Sequence, residues 1–76
     1  MRDVPKPVDE AFYSGKRTDD VPFSVNDSVE IVSGPHVGSV GAVISVESLQ
    51  PEVTFLVELG PDGTDVIVSA ASLRAI

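Results

Sequence analysis

Few residues in this sequence have the types and the spacing that catalysis or metal binding requires. His36 is the only histidine, and cysteine is absent, which excludes disulfides and thiolate metal ligands. No serine lies in a G-x-S-x-G elbow, and residues 62–65 lack the ordered carboxylates and the closing glutamate of a calcium loop. We therefore predict no catalytic residue, no cofactor and no metal site, and hence a protein that is not an enzyme.

Charge separates the chain into two regions. The formal net charge is −7 over 76 residues. Residues 25–76 hold one cation, Arg74, against seven carboxylates, whereas residues 1–24 are close to neutral. Phosphate backbones are bound through several Lys and Arg side chains, so this charge disfavours nucleic acid as a partner. It favours a partner with a basic surface, or else serves only to keep an acidic domain solvated.

Residues 1–24 hold three of the six prolines and charges of both signs. Because proline fixes φ and restricts the residue before it, we predict an extended arm here, ordered or partly disordered. Within it, the stretch VDEAFYSGK can form one or two helical turns that end at Gly15. The aromatic side chains Phe12, Tyr13 and Phe23 are predicted to pack on the rest of the protein or on a partner.

The sequence has no apolar run close to the roughly 20 residues of a membrane span. Its first residues are too charged and too rich in proline for a signal peptide. We therefore expect a soluble, cytoplasmic protein.

Residues 25–76 show a succession of short β-strand patterns. Apolar side chains alternate with others in runs at residues 28–33, 39–47, 52–59 and 65–69. The alternation in the second run predicts one face made of Val40, Ala42, Ile44 and Val46. The alternation in the third run predicts one face made of Val53, Phe55, Val57 and Leu59.

Turn residues connect these runs. The stretch GPDGT at residues 60–64 predicts a hairpin, because Pro61 presets φ, Asp62 bonds its own backbone and Gly63 takes a positive φ. A single helical turn at residues 70–73, capped by Ser69, is predicted to precede a last short strand. Five antiparallel strands in so short a chain predict an all-β fold closed into a small barrel, since closure buries the Val and Ile faces and removes sheet edges.

Three glycines stand at the corners that a small barrel requires. They lie in DSVEIVSGPHVGSVGAVISV, residues 27–46. Gly34 begins a loop, and Gly38 leaves it with a positive φ. Gly41, inside a strand, indicates a bulge or a close approach of two backbones.

This stretch resembles the KOW motif, a glycine-centred loop between the first two strands of an SH3-like barrel. It keeps the pattern V-x-I-x-x-G-P-x-x-G-x-x-G-x-V. Gly34 and Pro35 match the motif's GP, and Gly38 matches its loop-closing glycine. Gly41 and Val43 match its G-x-V. The resemblance implies a five-stranded SH3-like barrel over residues 25–76, with residues 1–24 as an arm outside it.

KOW domains of transcription elongation factors and ribosomal proteins contact RNA, ribosomal RNA or proteins. The family often has Lys or Arg before the loop-closing glycine, where this chain has Val37. The predicted barrel also has a single aromatic residue, Phe55, for stacking on bases. We therefore predict a non-catalytic protein-binding or accessory module. An RNA-, ribosome- or transcription-associated KOW protein and a small auxiliary subunit of an enzyme complex are the alternatives.

The predicted partner contacts lie on the loop, at the hairpin tip and on the aromatic arm. They are Pro35, His36, Val37, Pro61, Asp62, Phe12, Tyr13 and Phe23. The glycines predicted to be structural are Gly34, Gly38, Gly41 and Gly63.

Overall fold

One short helix and five strands make up the described part of the protein. The computed structural model describes residues 4–18, 20–60 and 63–76. The elements are α1 (Lys6–Tyr13), β1 (Ser28–Ile31), β2 (Val40–Ser48), β3 (Thr54–Leu59), β4 (Thr64–Ser69), a 3₁₀ turn (Ala70–Ser72) and β5 (Leu73–Ala75). All strand pairs are antiparallel, and the strands form one sheet in the order β4-β3-β2-β1-β5. The predicted all-β class with five strands is confirmed.

The turn before β5 forms as the sequence predicted. The Ser69 hydroxyl accepts a hydrogen bond from Ala71 N at 3.3 Å, and the 3₁₀ turn follows directly. At the predicted hairpin, Leu59 pairs with Thr64, and Gly63 N donates to Leu59 O at 2.8 Å with a φ of 71° at Gly63. Pro61 and Asp62 lie outside the described residues.

The two longest strands differ in how well simple alternation predicted their buried faces. In β3, Phe55 and Val57 are fully buried, as expected. In β2, the predicted face is wrong, because Val43 is buried together with Val46 while Val40 is exposed. The register of β2 against β3 shifts between Val43 and Ser45. This irregularity adds a residue to β2, so side chains three positions apart both reach the core.

The sheet curls but is not closed into a barrel. β4 and β5 are its two edges, so the predicted closure is not found. Four steps of chain separate Ser69 from Leu73 and can span about 14 Å, so the curl must bring the edges close at this point. The turn directs β5 to β1, where Leu73 pairs with Ile31, and Val32 N donates to Ser72 O at 2.7 Å.

Gly41 fixes how closely β2 and β3 approach. A Cβ at this position would lie 2.3 Å from the Glu58 backbone oxygen and 3.1 Å from a Val57 methyl group. Both neighbours belong to β3, and the nearer one is backbone that cannot rotate away. The predicted close approach of two backbones is therefore present, and only glycine fits it without a shift.

The N-terminal segment, predicted as an extended arm, contains α1 over Lys6–Tyr13. The helix ends at Tyr13 and is followed by Gly15, which has a φ of 83°, and Lys16 N donates back to Ala11 O at 2.9 Å. Phe12 has 1% of its surface exposed and stacks on Phe55 of β3 with ring centroids 6.2 Å apart. The amphipathic helix thus belongs to the same core as the sheet.

The core is one cluster of buried apolar side chains that joins the N-terminal segment to the strands. Its members are Phe12, Val21, Phe23, Val29, Ile31, Val43, Val46, Phe55, Val57, Val68 and Leu73. Phe23 meets Phe55 edge to face at 5.5 Å. Aromatic side chains supply large buried areas, so this N-terminal contribution matters in a domain of this size.

Asp27 fastens the segment between α1 and β1. Its carboxylate accepts two hydrogen bonds from the Arg17 guanidinium, one of them from Nε at 3.0 Å, and one from Ser24 N at 2.9 Å. Burial by itself would raise the pKa of Asp27, but the hydrogen bonds from Arg17 and Ser24 outweigh it and hold the pKa below its usual value. The same pairing raises the pKa of Arg17.

Candidate functional site

The loop between β1 and β2 projects three side chains into solvent. We call residues 33–38 the GP loop. Its two ends meet where Gly38 N donates to Ile31 O at 2.8 Å and Ile31 N donates to Ser39 O at 2.9 Å. Gly38 has the positive φ that the sequence predicted, 91°. Pro35, His36 and Val37 are exposed, and 62% of the Val37 surface is open to solvent.

A cleft separates the GP loop from strand β4. Its volume is about 230 Å³. The loop side is formed by residues 33–36, the opposite side by Ile67 and Ser69, and the floor by Ile31 and Val68. The cleft lies in the gap between the two edges of the curled sheet. It is smaller than the roughly 300–1,000 Å³ of most small-molecule sites.

The hydroxyl groups around the cleft are engaged with one another and with a carboxylate. Ser33 Oγ donates to Ser72 Oγ at 2.7 Å, which ties the beginning of the GP loop to the 3₁₀ turn. Ser69 Oγ donates to Glu52 Oε2 at 3.0 Å. These hydrogen bonds place hydroxyl groups along the walls of the cleft, with a carboxylate beside Ser69.

Strand β4 presents an apolar residue beside the cleft. Ile67 leaves 64% of its surface exposed, although it lies between the half-buried Val66 and the buried Val68. Its partner across the ladder is Leu56 of β3, on the same outer face of the sheet. Cross-strand neighbours on one face are in contact distance, so Leu56 and Ile67 form a small apolar patch next to the GP loop.

Carboxylates border this patch. Glu58 and Asp65 are direct cross-strand partners on the outer face, and both are exposed. Like charges in this arrangement repel each other. At the other end of the patch lies Ser69, with the Glu52 carboxylate hydrogen-bonded to it. The outer face of β3 and β4 is therefore apolar in the middle and acidic at both ends, which suits a ligand carrying positive charge.

The structure divides the predicted contact residues into two groups. Pro35, His36 and Val37 lie on the exposed loop beside β4. Phe12 and Phe23 are in the core, so for them packing on the rest of the protein is the alternative that holds. Tyr13 is exposed and meets Phe12 edge to face at 5.0 Å.

Ile67 is the residue that the sequence analysis missed. The run Val66, Ile67, Val68 is apolar at three consecutive positions, so alternation cannot tell which side chain faces outward. Only the ladder with β3 decides it. The signal available in the sequence was the break in alternation itself, which is typical of a strand with apolar residues on both faces.

The described residues contain neither a group of possible metal ligands nor a membrane-spanning helix. Within residues 4–18, 20–60 and 63–76, no three His, Cys, Asp or Glu side chains are grouped so that they could hold a metal ion. No helix in that part of the chain has the length and the apolar character needed to cross a membrane.

Comparison with protein families places the GP loop in a known motif. Residues 25–58 match the model described as the KOW motif. The matched region runs from the residues before β1 through the GP loop and β2 to Glu58 in β3. No curated protein matches the sequence significantly.

The KOW motif accounts for one side of the cleft and not the other. The GP loop lies within the residues that match the KOW model, and the small five-stranded sheet is consistent with an SH3-like fold. β4, with Ile67, lies beyond the matched residues, as does α1. The cleft therefore lies between the GP loop, which is within the matched residues, and a strand that the match does not cover.

Proposed function

We propose that this protein is a non-catalytic protein-binding module that binds a basic partner protein at the cleft between its GP loop and β4. KOW motifs often occur in small domains of ribosomal and transcription-associated proteins, and we propose an assembly of that kind as the setting. The observation that carries the proposal is that two exposed apolar side chains, Val37 and Ile67, lie on the two segments that flank one cleft. Exposed apolar groups rimmed by polar and charged ones mark interaction sites.

Charge favours a protein over RNA as the partner. Arg74 donates two hydrogen bonds to Glu30 Oε1, at 2.8 and 2.5 Å, and Arg17 is held by Asp27. Both guanidinium groups are thus neutralised by carboxylates within the protein. RNA binding draws on several cationic contacts to phosphates. The carboxylates around β4 instead complement Lys and Arg on a protein surface.

Site-specific photocrosslinking in an extract of the native cell tests the proposal. A photoreactive amino acid is placed at Val37, at Ile67 or, as a control, at Tyr13 on α1, which is also exposed. We expect the same protein to be captured from positions 37 and 67 and not from position 13, with capture decreasing as salt is raised. The identity of the captured protein distinguishes a ribosomal or transcriptional partner from an enzyme to which this chain would be auxiliary.

Two outcomes contradict the proposal. One is capture from Tyr13 alone, which would move the docking surface to the helix. The other is retention of the unmodified protein on immobilised total RNA at low salt, with release as the salt concentration rises, since that is the behaviour of a phosphate-binding protein.

A further inference from the structure

The free edge of β4 has unused backbone hydrogen-bonding groups. Ala70 N donates to Val53 O, on the β3 side, at 2.9 Å. This hydrogen bond shows which residues of β4 direct their backbone N–H and C=O groups toward β3. Because the direction of backbone groups alternates along a strand, Thr64, Val66 and Val68 bond to β3. The N–H and C=O groups of Asp65 and Ile67 then point away from the sheet. Within the residues that the structure describes, no strand pairs with this edge.

This edge also has the regular geometry that a further strand needs. β4 pairs with β3 through six consecutive positions without a register shift. The opposite edge, β5, has only three residues and carries Arg74 in its ion pair with Glu30. Short length and charge are common ways of protecting an edge from pairing. β4 has neither protection at Ile67, whose side chain is exposed.

We propose that β4 binds an extended segment of the partner protein as an additional antiparallel or parallel strand, with an apolar side chain beside Ile67 and a Lys or Arg two residues away beside Asp65. The inference rests on the proposed function and specifies how the partner is held. Strand addition provides affinity through main-chain hydrogen bonds and specificity through alternate side chains. The end of the added strand near Ser69 reaches the cleft, where Pro35 and His36 contact it.

The charges around β4 favour a partner segment over a second copy of this chain. Two β4 strands paired antiparallel about Ile67 would bring Asp65 of each copy toward the Ser69 end of the other, where Glu52 lies. Each molecule also carries a net charge of −7. Self-pairing therefore brings like charges together, whereas a segment with a Lys or Arg beside Asp65 is attracted to Glu58 and Asp65.

Amide hydrogen exchange with a defined peptide tests strand addition on the intact protein. The probe is a peptide of about eight residues with the repeat Val-Thr-Lys-Thr, so that Val and Lys follow one another on the face that carries Ile67 and Asp65, and it is long enough to pair along all of β4. In the free protein, the amide of Ile67 exchanges rapidly while those of Val66 and Val68 are protected by β3. We expect the peptide to slow exchange at Asp65 and Ile67 and to leave Val66 and Val68 unchanged.

Matched variants separate backbone pairing from simple charge attraction. Proline at an outward-facing edge position removes a donor that the fold does not use, so Ile67→Pro is expected to bind the peptide about tenfold more weakly. Ile67→Thr keeps the N–H and is the control. A second probe needs no variant: the same peptide with alternate amides N-methylated is expected to lose binding by a similar factor.

Each remaining result overturns strand addition. Equal binding of the N-methylated peptide would show attraction by charge alone. Protection of Ile67 that appears without peptide and grows with protein concentration would identify a second copy as the occupant. If neither probe binds while crosslinks at Val37 and Ile67 capture one protein, the proposed function stands and strand addition fails; if those crosslinks are also absent, both fail.

Discussion

Two apolar regions of this molecule differ in whether the chain itself covers them. On what we call the covered side, α1 and the segment after it bury Phe12 and Phe23 against Phe55. On the open side, the GP loop and β4 leave Val37 and Ile67 in solvent. The residue types are similarly apolar, so the difference lies in what the chain itself lays over them. The covered side contributes to the free energy of unfolding, and the open side keeps its apolar surface for another molecule.

The largest effect is expected on the covered side. Phe12→Ala removes a fully buried ring that stacks on Phe55 and should lower the free energy of unfolding by about 3–5 kcal/mol. That is a large part of the stability of a small domain. Urea unfolding followed by circular dichroism measures it, with Tyr13→Ala on the exposed side of the same helix as the control. Equal unfolding midpoints for the two variants would show that α1 does not belong to the core.

The next effect concerns the packing that holds the two sides together. Gly41→Ala places a methyl group against the Glu58 carbonyl and should cost about 1–3 kcal/mol of unfolding free energy. Gly60→Ala is the matched control, because a Cβ there would meet nothing within 4 Å. Thermal unfolding of the two variants measures the difference. A Gly41→Ala protein as stable as Gly60→Ala would contradict the close approach of β2 and β3.

A smaller, pH-dependent effect on stability is expected from the Arg17–Asp27 ion pair, which holds the segment between α1 and β1 on the covered side. The pKa of Asp27 is lower in the folded protein than its usual value. Its contribution to stability is therefore complete above about pH 4 and is lost as the pH falls through the lower folded value. Asp27→Asn should lower the melting temperature at neutral pH and flatten its decrease on acidification. Arg17→Gln should have the same effect in part, and unchanged acid profiles in both variants would contradict the role of this ion pair.

The smallest effect is expected on the open side and has the opposite sign. Asp65→Asn removes the repulsion between Glu58 and Asp65, so it should raise the free energy of unfolding by about 0.2–1 kcal/mol. The gain should shrink as salt screens the exposed charges. The same variant should bind the Val-Thr-Lys-Thr peptide more weakly. A variant that is both less stable and a better binder would show that these carboxylates do not serve recognition.

The strands and turns followed from short-range rules. Alternation predicted four of the five strands within a few residues, and the last strand was predicted to follow the turn at residues 70–73. Ser69 and Gly63 predicted the turns on either side of β4. Alternation failed in β2, because an irregularity beyond Val43 changes the phase of the side chains, and no local pattern marked it. It also failed at Ile67, where consecutive apolar residues offered no phase to read.

The candidate site was half predictable for the same reason. Gly34, Pro35 and Gly38 have types that only a loop of this kind requires, so the sequence alone located the GP loop and indicated its family. The opposite wall of the cleft depended on the curl of the sheet, which brings β4 to the loop although Gly34 and Ile67 are far apart in the chain. Sheet curl is the sum of many small twists and cannot be assigned to any single residue.

What the sequence by itself determined is the set of short strands, the glycine-bearing turns and the acidic charge of residues 25–76, because each depends on the conformational preference or charge of the residues present. The tertiary structure alone decided that Phe12 is core, that Ile67 is surface, and that the sheet keeps an open edge. Burial depends on what lies opposite a side chain in space, and the type of an apolar residue does not specify which neighbour will cover it.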